Sequence, residues 1–254
     1  MSRVDSPRGL IVVTGGSRGI GAAIARSFAQ SGHPVLITFS TNQQAANAFV
    51  QDQQREGFSG HSISSDLADE GGVLRIFEAA DKLALPLAGL VNNAGVTGGF
   101  ARLVDLNDDV LRRVLAVNVA GPFLCAREAV RRMSTRYGGR GGNIVNVSSI
   151  AAKLGGAGEW IHYAASKGGL DTLTVGLARE VASEGIRVNA VAAGLIATGL
   201  HAAAGAPDRL DRLAPGIPMG RAGTAEEVAA AVTWLMSPAA SYVTGAIIPV
   251  GGGR

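Results

Sequence analysis

The feature that most constrains this chain is an alternation. Short runs rich in Val, Ile and Leu at residues 10–14, 35–39, 61–65, 88–92, 143–148, 186–192 and 246–250 are separated, for most of the chain, by longer stretches of helical character. The clearest of these helical stretches are 20–31, 42–56, 110–136, 163–183 and 225–236. Parallel strands cannot be joined by tight hairpins and need long crossovers, so this rhythm predicts repeated βαβ units. The expected fold is α/β, one doubly wound, seven-stranded parallel sheet with helices on both faces. Such sheets bind ligands beyond the carboxyl ends of their strands, which directs attention to the loops that follow the strand-like runs.

With 254 residues, 47% apolar and 17% charged, the chain can bury one sizeable core, and a single domain over 1–254 is expected. The longest stretch without clear periodicity, 195–221, contains Pro207, Pro215 and Pro218 and is read as a substrate lid. The 36 glycines follow no fixed period, which sets aside collagen-like and linker sequences. The N-terminal stretch carries Arg3, Asp5 and Arg8, and the apolar run behind it is too short for a signal-peptide core. No apolar run reaches membrane-spanning length. The single cysteine, Cys125, lies between Leu124 and Ala126 and reads as core packing. These features together predict a cytoplasmic protein with neither membrane nor metal. The net charge is +3, and the densest basic cluster, Arg127, Arg131, Arg132, Arg136 and Arg140, has helical spacing without interleaved aromatics. It reads as a solvated helix face, and nucleic acid is not an expected partner.

Four motifs carry chemistry. The first strand runs into Thr14-Gly15-Gly16-Ser17-Arg18-Gly19-Ile20-Gly21, directly ahead of a helix. Glycines there permit a tight turn and close approach of backbone N–H groups to a pyrophosphate at the helix N-terminus, the Rossmann arrangement. No Gly-Lys-Ser/Thr follows, which argues against a P-loop. The fourth run ends in Asn92-Asn93-Ala94-Gly95, small and amide-bearing, where such a sheet places ligand. Tyr163-Ala164-Ala165-Ser166-Lys167 sets a phenol and an ammonium four residues apart, on one helix face. The chain has three tyrosines and three lysines, so chance supplies such a pair only roughly 0.04 times. A fixed cation favours phenolate and makes tyrosine a competent acid/base near neutrality. Ser148 and Ser149 end the strand fifteen and fourteen residues ahead of Tyr163, and a hydroxyl there can donate to a carbonyl oxygen. Each motif has a plainer reading as a structural turn, a surface helix pair or a turn serine, and it is their conjunction that speaks for function.

In this order, the glycine turn, Asn-Asn-Ala-Gly, the Ser-Ser strand end and Tyr-x-x-x-Lys resemble the short-chain dehydrogenase/reductase family over essentially the whole chain. The resemblance implies Ser149 as the catalytic serine, Tyr163 as general acid/base and Lys167 as the group that lowers its pKa and bonds the nicotinamide ribose. It implies Asn118, in Leu115-Ala116-Val117-Asn118-Val119, as holder of a water linking Lys167 to solvent. Cofactor contacts are implied at Gly15, Ser17, Arg18, Gly19, Ile20 and Gly21, at Asp66 and Leu67 for adenine, and at Asn93, Ala94 and Gly95 near the ribose. Tyr163 and Lys167 count among them too. Gly194, Ile196 and Thr198 match the element lining the nicotinamide carboxamide, with Ala193 in place of the usual proline. Val250-Gly251-Gly252-Gly253 departs from the usual Val-Asp-Gly-Gly. A homotetramer built on the helix around 110–136 and the C-terminal segment is expected by the same resemblance.

Cofactor choice follows from a missing acid. An NAD-selective site of this kind carries a carboxylate at the end of the second strand, where it accepts from the ribose hydroxyls and repels a phosphate. Thr38-Phe39-Ser40-Thr41-Asn42 contains none. Ser40, Thr41 and Asn42 can donate hydrogen bonds and Arg18 can supply charge, so NADP(H) is expected over NAD(H), with Phe39 also lining the site. The substrate is expected to be a small carbonyl or alcohol. Its contacts are sought in 96–103, 151–162 and 195–219, where Trp160, His162 and His201 stand out, and His162 reads as a pocket wall or helix-start residue. The alternatives are a 3-oxoacyl-thioester reductase, a sugar or polyol dehydrogenase, and, outside catalysis, an NADP-binding regulatory protein.

Overall fold

The computed structural model describes residues 8–254, so Arg3 and Asp5 lie outside the described residues. Seven strands form one sheet there: β1 (Leu10–Val13), β2 (Val35–Phe39), β3 (Gly60–Ser64), β4 (Leu87–Asn92), β5 (Gly142–Ser149), β6 (Ile186–Ala193) and β7 (Ile247–Val250). All pair in parallel, in the order β3-β2-β1-β4-β5-β6-β7. Between them run α1 (Gly19–Gln30), α2 (Gln43–Arg55), α3 (Glu70–Lys82), α4 (Asp108–Leu115), α5 (Gly121–Met133), α6 (Ala151–Leu154), α7 (Ile161–Val181), α8 (Leu200–Ala203), α9 (Arg209–Leu213) and α10 (Ala225–Met236).

Because successive side chains of a strand face opposite ways, the apolar runs feed two cores. Ile11, Val13, Val35, Ile37 and Val145 pack with α1, α2 and α10 on one face. Leu10, Val12, Leu36, Leu90 and Ile144 pack with α3, α5 and α7 on the other. Every residue of β1 and β2 is buried, as expected of strands covered on both sides. Several helices start on side-chain caps: on α2 Asn42 accepts from Ala45 N at 2.9 Å, and Thr224 and Glu227 form a reciprocal capping box on α10.

The strand order reverses between β1 and β4, which pair directly. The turns that follow these two strands are the glycine turn and Asn93-Ala94-Gly95, so the sequence's two small-residue motifs meet at the switch point. Two expectations need correction. The stretch 110–136 is not one helix: a π-helical turn, Ala116–Ala120, separates α4 from α5. The stretch 195–221 is not free of regular structure, since it holds α8, α9 and a 3₁₀ turn, Ala214–Gly216. Short amphipathic turns of this length leave too little periodicity to register in a sequence window. Ile196 bridges Gly223 and Met219 N bonds Gly252 O at 3.1 Å, so the segment is pinned at both ends.

Cys125 is fully buried on α5, and burial pushes its thiol up to about 12, the inert state expected of a core cysteine. The arginine cluster is largely paired: Arg127 with Glu70, Arg131 with Glu128, and Arg132 with both Asp81 and Glu128. Among the described residues, no helix is long and apolar enough to cross a membrane.

Candidate active site

The glycine turn is shaped by what a side chain would strike. Gly15 has φ +64°, a backbone that disfavours other residues. A Cβ on Gly21 would lie 2.3 Å from the Gly15 carbonyl oxygen and 2.5 Å from Asn93 Nδ2. The turn is also braced from β4: Asn93 Nδ2 donates to the carbonyls of Thr14 and Gly15 at 2.9 and 3.1 Å, and Thr14 Oγ1 accepts from Asn93 N and Ala94 N. Helix α1 then begins with no side-chain cap and no acid in its first turn. Its leading N–H groups are left for an anion, the electrostatic requirement of a diphosphate site.

A cleft of about 320 Å³ opens from this turn across the carboxyl ends of the strands. Gly15, Ser17, Arg18, Gly19, Ile20 and Gly21 line it, with Phe39, Ser40, Thr41 and Asn42 after β2, and Asp66 and Leu67 after β3. Asn93, Ala94 and Gly95 after β4, Ser149 after β5, and Gly194, Ile196 and Thr198 after β6 complete the same wall, with Tyr163 and Lys167 from α7. Arg18 and Ser40 to Asn42 are exposed, and Arg18 makes no ion pair among the described residues. Asn42 spends its carbonyl oxygen on the α2 cap, which leaves its amide as the donor. Gly194 is held against the C-terminal segment: its N–H bonds Val250 O at 2.8 Å, and a Cβ would lie 2.5 Å from Gly251 Cα. The neighbouring Ala193 reaches this geometry without the rigidity of a proline.

Helix α7 places the buried Tyr163 and Lys167 side by side, with Lys167 Nζ 5.8 Å from the phenol ring centre. Burial pushes the phenol up, and the adjacent Ser149 hydroxyl offsets only part of this. Burial pulls the Lys167 ammonium down to about 8, against a smaller raising by Asp171. Lys167 Nζ donates to Val147 O at 2.8 Å, and burial is the largest influence on the phenol. The two serines diverge. Ser148 is buried and its hydroxyl turns to Lys167 O at 3.4 Å, whereas Ser149 stands beside the phenol and accepts from Ala151 N.

Asn118 lies outside the cleft lining, fully buried in the π turn. Single π turns of this kind occur frequently at functional sites. Asn118 Oδ1 accepts from Val96 N at 2.9 Å, and Nδ2 donates to Val96 O at 2.8 Å and Ser166 Oγ at 3.0 Å. It thus ties the loop after β4 to α7. Gly95 sits against this junction, since a Cβ there would lie 3.3 Å from Asn118 Oδ1 and 3.5 Å from Lys167 Nζ.

A family model described as enoyl-(acyl carrier protein) reductase matches residues 15–254. The chain belongs to the short-chain dehydrogenase/reductase family. It is similar to the Escherichia coli oxidoreductase YgfF, described as uncharacterized, at 49% identity over 96% of this chain and 99% of that one. The 3-oxoacyl-[acyl-carrier-protein] reductase FabG of Aquifex aeolicus is 37% identical, over 95% of each chain. Among solved structures, a blue fluorescent protein from a metagenomic library in complex with NADPH superposes with a TM-score of 0.88, at 34% identity over 96% of this chain and 97% of that one.

This short-chain dehydrogenase/reductase also uses residues the sequence did not single out. Arg113 lines the cleft and bonds Asp66 at 2.8 Å, which holds the Asp66 carboxyl below the usual carboxylate range. Ser166 anchors Asn118, and Thr38 Oγ1 accepts from Gly15 N at 3.1 Å. No local pattern marks these contacts, which join residues 47, 48 and 23 positions apart. His162 lies in the first turn of α7 with Nε2 2.8 Å from Thr97 O, outside the cleft lining. Trp160 and His201 both line the cleft.

Proposed function

We propose that the protein is an NADP(H)-dependent oxidoreductase that interconverts a small carbonyl compound and its secondary alcohol, within a single domain spanning 1–254. One observation supports this above the rest: the glycine turn, Ser149, Tyr163 and Lys167 face one continuous cleft. The turn fits a dinucleotide, since its close approaches leave no room for side chains and α1 offers uncapped N–H groups. Gly15, Ser17, Gly19, Ile20 and Gly21 would hold the diphosphate and ribose, and Asp66 and Leu67 the adenine. Asn93 to Gly95 would lie near the ribose, and Gly194, Ile196 and Thr198 beside the nicotinamide. When bound, the cofactor supplies the hydride chemistry that no side chain provides. The absence of an acid at Phe39 to Asn42, together with the unpaired Arg18, favours a 2′-phosphate over a bare ribose.

The protein's own task is to handle the oxygen and its proton. Ser149 donates to the substrate oxygen, and Tyr163 gives or takes the proton as general acid or base. Burial pushes the phenol pKa up, which favours the protonated form that can donate to a carbonyl oxygen. Lys167 uses one N–H on Val147 O and keeps two for the cofactor ribose and the proton path to solvent. Asn118 positions the path by fixing Val96 and Ser166, and segment 195–221 closes the site as a lid. Exposed Leu115 and Phe123 on the α4–α5 flank, and exposed Trp234 and Tyr242 near the C-terminus, support burial in a homotetramer.

The test is Tyr163→Phe assayed with a panel of carbonyls and NADPH. Turnover should fall at least about 100-fold while NADPH affinity is retained. A variant that keeps its turnover refutes the assignment.

A further inference from the structure

His201, in α8, is 7% exposed and lines the same cleft as Tyr163, yet its buried Nδ1 has no hydrogen-bond partner among the described residues. Its neighbour Ala204 packs in one cluster with Ala151, Trp160 and Tyr163, which sets this turn of the lid over the tyrosine end of the cleft. The contrast with His162 is direct, for that equally buried ring has a carbonyl partner at 2.8 Å. Buried polar atoms in native proteins are nearly always satisfied, and an unsatisfied one in a cleft wall points to a partner that arrives with the ligand.

The surroundings define that partner. Burial, then the charge of Arg209, lower the His201 pKa, and the Ile196 backbone offsets them only in part, so the neutral ring is favoured. A neutral imidazole nitrogen donates or accepts according to tautomer, and a hydroxyl pairs with either form. A carboxylate or phosphate fits less well, because the charge of Arg209, although its Nε has no partner of its own, is already matched by Glu159. Arg209 is locked to both oxygens of Glu159, and Lys167 is buried on Val147 O. Val96, Trp160 and Leu200 supply the apolar remainder of the lining.

We infer that His201 is a specificity-determining residue whose Nδ1 pairs with a substrate hydroxyl, so that the preferred substrate is a small neutral hydroxy-carbonyl compound or the corresponding diol. This rests on the carbonyl/alcohol reading of the cleft and deepens it. Apolar ketones and acyl thioesters leave Nδ1 unpaired, and a site left with an unpaired polar group discriminates against them.

The experiment uses two nearly isosteric pairs, 1-hydroxy-2-butanone with 3-pentanone and 4-hydroxy-2-butanone with 2-pentanone. Each is assayed with NADPH on the wild type, His201→Leu and His201→Asn. In at least one pair, His201→Leu should lower the ratio of kcat/KM for the hydroxy-ketone to that for the alkyl ketone by at least about tenfold. His201→Asn, which keeps a hydrogen-bonding group near the Nδ1 position, should restore part of the ratio. The NADPH Kd should stay within about twofold in both variants, since the partner proposed is on the substrate. Calorimetric binding of 1,2-butanediol and 1,3-butanediol to the wild type with NADP⁺ provides a second reading, in which at least one diol should bind more tightly than its alkyl alcohol counterpart. An unchanged ratio in both pairs, or a weakened NADPH affinity that makes the cofactor the partner, overturns the inference while leaving the carbonyl reading standing. Failure of the wild type to reduce any of the four ketones, with no diol bound, removes both.

Discussion

Glu159→Gln tests the part of the structure that holds the lid against the tyrosine. Arg209 of α9 is 4% exposed and donates to both carboxylate oxygens of Glu159 at 2.7 and 2.6 Å. Its guanidinium lies 4.5 Å over the Trp160 ring and 5.2 Å over Phe100, and those two rings stack at 4.7 Å. Trp160 in turn packs 5.4 Å from Tyr163, so one pair links lid, cleft wall and phenol. Removing one member of a buried ion pair costs about 3 to 5 kcal/mol, because the other charge is left unpaired. The Glu159 side chain remains 32% exposed, and its replacement keeps one acceptor, which places the expected loss at the lower end, about 3 kcal/mol. For a chain of this size that corresponds to roughly 6 to 12 °C in Tm. Guanidinium unfolding at fixed protein concentration should show the loss, and the double variant Glu159→Leu/Arg209→Met should recover most of it. The hydrogen bonds from Arg209 hold the Glu159 carboxyl below its ordinary value of 4.5, with burial acting the other way. The stabilisation is therefore complete above about pH 4.5 and is lost as pH falls through the lower, folded-state value. A loss under 1 kcal/mol, or a loss that does not diminish as pH falls below about 4.5, would refute this account of the latch.

Arg18→Ala should lower kcat/KM for NADPH by roughly 1 to 3 kcal/mol and leave NADH almost unchanged, as steady-state kinetics with both cofactors will show. An equal effect on both would separate Arg18 from the 2′-phosphate. Gly21→Ala should weaken NADPH binding at least about tenfold by fluorescence titration, since its Cβ would be forced to within 2.3 Å of the Gly15 carbonyl and so deform the turn. Normal affinity in that variant would show that the turn yields. Light scattering at micromolar concentration should report a tetramer, and a monomer would return the exposed apolar side chains of α5 to ordinary surface.

Much of the fold was legible because strand and helix periods differ and because strands buried on both faces lose their polar residues. β1, LIVV, and β2, VLITF, could be placed to within a residue or two. The failures came where period carries no information. A π turn adds one residue to a helix without changing its composition, so Ala116–Ala120 was invisible inside an apolar stretch. α8 and α9 have four and five residues, scarcely one turn each, and their fixation comes from Gly223, Gly252 and Glu159, none of them local.

The candidate site divides in the same way. Positions were readable wherever a motif fixes its own geometry: glycines at a strand–helix turn, or a phenol and an ammonium four residues apart. Electrostatics was not, because it depends on burial and on distant partners. Spacing alone makes Lys167 the cation that lowers the Tyr163 pKa, but burial acts on both groups and drives them toward neutrality from opposite sides, the phenol upward and the ammonium down to about 8. Lys167 also has a carbonyl to satisfy, and Asn118 is occupied in joining Val96 to Ser166. A four-residue spacing brings the pair onto one face, while β5, through Val147 and Ser149, sets how each member holds its proton. This is why Ser149, next to the phenol, and not Ser148, turned to the Lys167 backbone, is the serine placed to work with Tyr163.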